Sequence, residues 1–324
     1  LIVAQDGSGD FTDIQTAIDA LPSTGGEVFV KEGTYNIDTE ITIPNDDITI
    51  RGAGFSTNIN GTANIDIFSV SAKTRVTFDR LRFTDSSNTI TAIDISGASS
   101  FCKIFNCIFS SMFARAINIA GTDHLVQDNV CDSSGTHGIA ISGSRNRILN
   151  NISTGAANGN GILVAGDSTF SIIRGNIFTS NSLNGILLGA GSDNSIVEGN
   201  VCSSNNSGIS ATDFTSCIIC NNVCSSNTNR GIYIATGATD GGRNSVISNN
   251  VCMDNTNEGI YFLDADNCIA SGNRCGDNGQ EFRISTANDC IIIGNNLIGT
   301  GISLIDIGTN TIHLGNKLNG KDNI

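Results

Sequence analysis

Apolar and polar positions recur in a fixed order along residues 138–295. A Gly-Ile pair opens a short apolar strand, and a polar turn follows. A second apolar strand ends at an Asn, and a third short strand closes the phrase. The phrases read GIAISGSRNRILNNIS, GILVAGDSTFSIIRGNIF, GILLGAGSDNSIVEGNVC, GISATDFTSCIICNNVC, GIYIATGATDGGRNSVISNNVC and GIYFLDADNCIASGNRC. Their opening glycines, Gly138, Gly161, Gly185, Gly208, Gly231 and Gly259, are 23, 24, 23, 23 and 28 residues apart. Short apolar alternation bounded by polar turns predicts strands. A period of this length predicts a solenoid, whose rungs each bury one face against the next.

Stacking converts the phrases into columns. One Asn per rung aligns: Asn106, Asn129, Asn151, Asn176, Asn200, Asn222, Asn250, Asn273 and Asn295. Asn tolerates left-handed backbone, and its amide can bond to the rungs on either side, so these residues predict an internal ladder. Strand alternation then sends two columns inward. Three before the Asn stand Val126, Ile148, Ile173, Val197, Ile219, Ile247, Ala270 and Ile292. Two after it stand Ile108, Cys131, Ser153, Phe178, Cys202, Cys224, Cys252, Cys275 and Leu297.

The column arrangement explains most of the 11 cysteines. Those in the last column take places that other rungs give to Ile, Phe or Leu, so they read as small buried hydrophobes. Rungs ~4.8 Å apart put Cys202 and Cys224, or Cys252 and Cys275, within disulfide reach in an oxidising compartment. Five before the Asn, a small-residue column (Ser171, Ser195, Cys217, Ser245, Cys268, Cys290) marks a tight corner, and His124 shares it as a structural residue. Two outward columns are unexpectedly apolar. One holds Leu125, Ile172, Ile196, Ile218, Val246, Ile269 and Ile291; the other holds Cys107, Val130, Ile152, Ile177, Val201, Val223 and Val251. Exposed stripes of this size call for a register shifted by one, a loop cover, or burial by other chains in a homo-oligomer.

Residues 1–37 follow a different pattern. DIQTAIDAL (13–21) places Ile14, Ala17, Ile18 and Leu21 on one helical face, and Pro22 stops the helix. A strand over 27–31 and a turn at Glu32-Gly33-Thr34 follow. An amphipathic helix suits the open end of a solenoid, so residues 1–37 read as cap and first rung and 38–324 as one run of rungs. Three looser phrases, ITIPNDDITIRGAG, DIFSVSAKTRVTFDRLRF and TAIDISGASSFCKIFNCIF, fit the same three-strand plan.

The segment QDGSGDFTDIQTAIDALPSTGGEVFVKEGTYNI, continued by ITIRGAG, resembles the N-terminal cap and first rungs of pectin-lyase-like right-handed β-helix proteins, pectin methylesterases in particular. The later phrases are similar to repeats of β-helix epimerases, lyases and periplasmic accessory proteins. The resemblance implies an all-β, right-handed parallel β-helix of about a dozen three-strand rungs, roughly 55 Å long at ~4.8 Å per rung. It does not extend to known catalytic motifs. The QDTLY-like and DFIFG-like stretches of pectin methylesterases have no counterpart near SSMFARAINIAG, and the DPHE-type signature of alginate epimerases is absent.

Composition narrows the partners. A net charge of −14 with 17 basic residues excludes nucleic acid, whose phosphates require clustered Lys and Arg. An acidic polysaccharide remains open, because a local basic patch or bound cations can receive it. No run of 18 apolar residues exists, so no helix spans a bilayer. With 3 His and no paired CxxC motif, no zinc site is expected. The sequence leaves the identity of any cofactor open. Chain start Leu1 reads as a trimmed end, and the fold points to an extracellular or surface-associated protein.

By resemblance, the substrate groove runs along the outer face of the Gly-Ile strands. Two clusters stand out there. Asp94, Arg115, Asn118 and His137 fall on three successive rungs. Arg can mask a sugar carboxylate, and a neighbouring His or Asp can move the proton that this masking acidifies. Asp94, Arg115 and His137 are therefore the catalytic candidates, with Asn118 binding substrate. A solvated surface with scattered polar residues is the competing reading. The second cluster is Arg230, Tyr233, Glu258 and Tyr261, beside the longer loop around Asp240. Tyrosine faces suit sugar rings, although Arg230 and Glu258 could simply pair across rungs. Glu258, Asp264 and Asp266 could also supply two glycosidase carboxylates. The function expected is binding or processing of an acidic polysaccharide by a lyase, hydrolase or epimerase. The alternative is a non-catalytic shaft of a viral or cell-surface assembly.

Overall fold

The computed structural model describes residues 1–236 and 242–318, so the loop around Asp240 lies outside the described residues. The chain divides into two compact units, Leu1–Gly159 and Asn160–Ile324. Both are parallel β-helices, and the one helix described lies in the first.

Each turn carries up to three short strands. The first begins at the Gly-Ile pair, the second ends just before the Asn corner, and the third follows it. In the first unit the Gly-Ile strands run from Ile41–Thr42 through Asp66–Ser71, Thr91–Ser96 and Arg115–Ala120 to Ile139–Ser142. In the second they run from Ile162–Val164 through Asn184–Leu188, Ser207–Thr212, Ile232–Ala235, Glu258–Leu263 and Gln280–Asn288 to Ile302–Thr309. Within each unit the strands pair in parallel with their equivalents one turn on, as Tyr233 with Tyr261 and Tyr261 with Arg283. Among the described residues the pre-Asn strands number seven in each unit, in keeping with the expectation of about a dozen rungs.

The helix Ile14–Asp19 closes the first unit. Asp13 caps it by accepting from Thr16 N, and Ile14, Ala17 and Ile18 are buried. Its interior-facing residues cover apolar positions that a solenoid end would otherwise leave wet. The following strands are Gly26–Val30 and Gly33–Ile37, so the expected turn at Glu32-Gly33-Thr34 gives way to strand at Gly33. The reason is pairing: Gly33 N donates to Ser56 O at 3.0 Å, and Thr34 aligns with Asn58.

Buried amides tie one turn to the next. Nδ2 of Asn200 donates to Oδ1 of Asn222 at 3.0 Å, Asn222 to Asn250 at 3.0 Å, and Asn250 to Asn273 at 3.0 Å. Each of these amides also donates to a carbonyl of the preceding turn, and each Oδ1 accepts a backbone N–H, as Asn222 Oδ1 does from Asn200 N at 2.9 Å. A buried amide thus has its hydrogen-bonding capacity largely met inside the protein, as low-dielectric burial requires.

A second row, not anticipated from the sequence, stands five residues later. Asn181, Asn205, Asn227, Asn255 and Asn278 bond in the same way, and Asn278 Nδ2 donates to Glu281 Oε2 at 2.6 Å. Glu281 occupies the place that earlier rungs give to the opening glycine. Those glycines are required by close approach. A Cβ on Gly231 would lie 2.5 Å from Gly259 O and 3.0 Å from Asn255 Nδ2.

The expected columns need one correction. Register pairs Phe105 with Gln127 and Phe109 with Cys131, so Cys107, not Asn106, stands in the Asn129 column. Cys107 is buried and its N–H donates to Asn129 Oδ1 at 2.9 Å, while Ile108 turns outward. Asn106 holds the left-handed corner at φ 55°, as Asp128 and Asn150 do in the next turns. The left-handed residue is therefore the one before the buried Asn. Elsewhere the inward columns are filled as expected, and Ile173, Val197, Ile219, Ile247 and Ile292 are fully buried. Cys202, Cys224, Cys252 and Cys275 stack on consecutive strands as buried free thiols. Burial pushes the Cys202 and Cys252 thiols well up, which suppresses their reactivity. His124 is wholly buried, and its Nδ1 accepts from Cys102 N at 3.1 Å. The apolar stripes do face outward: Ile218 and Ile177 are each 40% exposed, so the register is not shifted in those rungs.

Asn222→Ala should destabilise the second unit by about 3 kcal/mol, because it removes the buried acceptor of Asn200 N–H and of one Asn200 Nδ2 hydrogen and the side-chain donor to Val197 O. The exposed Asn158→Ala should stay within about 0.5 kcal/mol of wild type in the same urea titration. Gly231→Ala should cost about 1–3 kcal/mol by overpacking, read as a lowered urea midpoint.

Candidate functional site

The outer face of the Gly-Ile strands carries both clusters, one in each unit. In the first unit Asp66, Thr91 and Arg115 follow one another in register, and His137 continues that column two residues before Ile139–Ser142. Three residues along the strand, Asp94 pairs with Asn118 and Asn118 with Ala140. The structure joins three of the four expected residues directly. Asn118 Nδ2 donates to Asp94 Oδ1 at 2.6 Å, and Arg115 Nη1 donates to Asn118 Oδ1 at 3.3 Å. Arg115 is thereby laid back along its own strand.

His137 is half-buried on the next turn. Burial and then the Arg115 charge hold its imidazole below the usual His range. The structure adds Asp66, which the sequence columns omitted because they began one rung later. Burial raises its carboxyl, with the Asp94 and Glu40 charges adding to the shift. A half-buried neutral imidazole, a carboxyl of raised pKa and a guanidinium thus share one face, a combination able to bind an anion and exchange a proton.

In the second unit all four expected residues meet. Arg230 Nε donates to Glu258 Oε2 at 2.8 Å, and the Glu258 side chain is only 6% exposed. The Arg230 guanidinium lies 4.4 Å from the Tyr233 ring centre and 5.0 Å from that of Tyr261. The two rings are 5.4 Å apart, tilted by 38°. Tyr261 is buried, Tyr233 is half-buried, and burial raises the Tyr233 hydroxyl.

Sequence reasoning missed Arg283 on the following strand. Its Nη1 lies 3.4 Å from Glu258 Oε1, and its guanidinium is 5.0 Å from the Tyr261 ring centre. The signal was present, since Tyr233, Tyr261 and Arg283 share a column, but QEFRIS lacks the opening glycine that marked the other rungs. Beside these side chains lies a cleft of about 400 Å³ lined by Arg230, Thr256, Asn257, Glu258, Gly279, Gln280 and Arg283.

Glu258 and Asp264 do not form a glycosidase pair. Glu258 opens the strand Glu258–Leu263 and Asp264 follows its end, about 20 Å away at the rise of an extended chain. A carboxylate pair for glycoside hydrolysis needs at most about 9.5 Å. Asp266 is taken up by Asn288, whose N and Nδ2 donate to its Oδ1 at 2.8 and 3.0 Å. Among the described residues no group of three or more His, Cys, Asp or Glu is placed to hold a metal ion, and no helix is long and apolar enough to cross a membrane.

Comparison with known proteins is informative for the fold. No curated protein matches in sequence. Among solved structures, the A-module of the Azotobacter vinelandii mannuronan C-5 epimerase AlgE6 aligns with a TM-score of 0.69 at 17% identity, over 94% of this chain and 93% of that one. A PL6 alginate lyase in complex with a trisaccharide aligns with a TM-score of 0.74 at 13% identity, over 93% and 81%. Tailspike protein 3 of bacteriophage CBA120 aligns with a TM-score of 0.66 at 14% identity, over 96% and 60%. At these identities the likeness is one of fold. The family model described as right handed beta helix region matches residues 34–202 and 91–240, more than half of the chain. With its parallel strands, its three-strand turns and this match, the chain belongs to the right-handed β-helix family.

Proposed function

We propose that this protein binds and processes an acidic polysaccharide along the outer face of its Gly-Ile strands, outside the cell or at its surface. One observation carries the reading: Arg230 and Arg283 flank Glu258 while stacking on Tyr233 and Tyr261 beside an open cleft. Aromatic faces accept the apolar face of a sugar ring, and a guanidinium beside them accepts its charged substituent. Arg230, Tyr233, Glu258 and Tyr261 form the binding surface of the second unit. Similarity of fold to an alginate epimerase and an alginate lyase supports the same substrate class.

The chemistry is assigned to the first unit. Arg115 offsets the charge of a uronate carboxylate, which acidifies the adjacent C–H. His137, kept neutral by burial and by Arg115, accepts that proton. In a lyase the carbanion then expels the β-positioned glycosidic oxygen, which takes a proton from water and leaves as the hydroxyl end of the departing chain. In an epimerase the carbanion is reprotonated from water on its other face. Asp94 holds Asn118, which in turn receives Arg115 and meets substrate. A non-catalytic shaft is the second reading, favoured by the exposed stripes at Ile177, Ile218 and Ile269. These would be buried in a homo-oligomer, as in an assembly of the tailspike kind.

A panel of polysaccharides, assayed for new reducing ends, unsaturated-uronate absorbance and proton exchange at the uronate C5, tests the reading. Activity on a uronate polymer is expected, and Arg115→Ala or His137→Ala should lower it by at least a hundredfold with unfolding midpoints preserved. Silence in all three assays, with a stable oligomer by light scattering, would favour the shaft. Because the His137 pKa is lowered, its base form persists into acid, so the acidic limb of kcat/KM should fall below about pH 6.5. Tyr233→Ala should weaken glycan binding about tenfold by calorimetry.

A further inference from the structure

We infer that Arg283 is the specificity-determining residue through which the second unit selects a sugar-borne carboxylate, and that Glu258 competes with that carboxylate for it. The inference rests on the glycan-binding reading above and names which group sets its charge preference. The protein as a whole is strongly acidic, with a net charge of −14, yet the cleft is lined by two arginines and a single carboxylate. Its lining therefore carries a surplus positive charge where most of the surface would repel an anion.

The two arginines are not equivalent. Arg230 is fixed on three sides, by the 2.8 Å bond from its Nε to Glu258 and by both tyrosine rings. Arg283 is held more loosely. Its contact with Glu258 is 3.4 Å, it faces one ring rather than two, and its side chain is 35% exposed against 25% for Arg230. A guanidinium has five N–H donors in a planar fork. Glu258 and Ser285 use two of those of Arg283, the latter through a 3.2 Å bond from Nε. A uronate in the cleft, packed against the accessible part of Tyr233, brings its carboxylate toward this guanidinium, where fork and carboxylate are complementary.

Glu258 has two effects of opposite sign. It anchors Arg230, which helps any ligand that stacks on the tyrosines. It also offers Arg283 a weak internal partner, which a ligand carboxylate must displace. Removing the Glu258 charge while keeping its shape should therefore strengthen uronate binding, whereas a purely structural Glu258 would give the reverse.

Calorimetric titration of the full chain with a hexauronate and with a neutral gluco-oligosaccharide of equal length separates these cases. Arg283→Gln should weaken hexauronate binding by roughly tenfold to a hundredfold, and Arg283→Lys by less, since the charge stays and the fork is lost. Glu258→Gln should tighten it severalfold. Neither Arg283 variant should change affinity for the neutral ligand, Glu258→Gln should weaken it through the loosened Arg230 while tightening the hexauronate, and thermal unfolding checks that each variant is folded. An unchanged hexauronate affinity in Arg283→Gln, or a weakened one in folded Glu258→Gln, overturns the inference. Wild type that binds only the neutral ligand also overturns it and leaves glycan binding standing. Wild type that binds neither ligand defeats the glycan-binding reading itself.

Discussion

In-register stacking of one turn on the next is the constraint on which the remaining features depend. A parallel β-helix satisfies its strand backbones only through the turns on either side, so each corner must repeat at the same height. Buried asparagines enforce this. An amide such as Asn222 bonds to Asn200 and Asn250 and to a carbonyl of the preceding turn, so a slip of one residue would strand several polar groups in a dry interior. Once the corners are locked, strand alternation decides the rest. Ile219 and Ile247 point in, while Ile218 and Val246 point out.

The same constraint explains what could be read in advance. The Gly-Ile phrases, the inward Ile and Val columns and the stacked thiols repeat once per turn, and repetition is what a sequence displays most openly. The exceptions lie where a rung departs from its neighbours. Cys107 stands in a position that later rungs give to Asn, so aligning by residue type drew Asn106 into the wrong column. Glu281 replaces the opening glycine, which hid the rung that carries Arg283. The second asparagine row is equally periodic, but Asn181 and Asn205 lie beyond the last apolar strand of each phrase, where the strand pattern that aligns the first row no longer runs.

Sites arise where the regular surface is interrupted. Most outward positions on the Gly-Ile strands of the second unit are small or aliphatic, such as Leu163, Leu187 and Ser210. The succession Tyr233, Tyr261, Arg283 replaces them with rings and a cation whose spacing is set by the backbone rather than by a mobile loop. Arg115, Asn118 and Asp94 use the same geometry in the first unit, where Arg115 reaches along its own strand to Asn118, which bonds Asp94 of the preceding turn. Pairwise geometry of this kind was only partly legible. Adjacency in a column follows from the repeat, but the reach of Arg115 to Asn118 and the separation of Glu258 from Asp264 require coordinates.

A crystal structure of the protein bound to a uronate oligosaccharide is the most direct measurement. The expected result is sugar density in the cleft beside Tyr233, with a carboxylate in a forked contact with Arg283 and Arg230 still bonded to Glu258. Density on the pre-Asn or post-Asn strands, with Tyr233 and Arg283 untouched, would contradict the assignment of this face as the polysaccharide-binding surface.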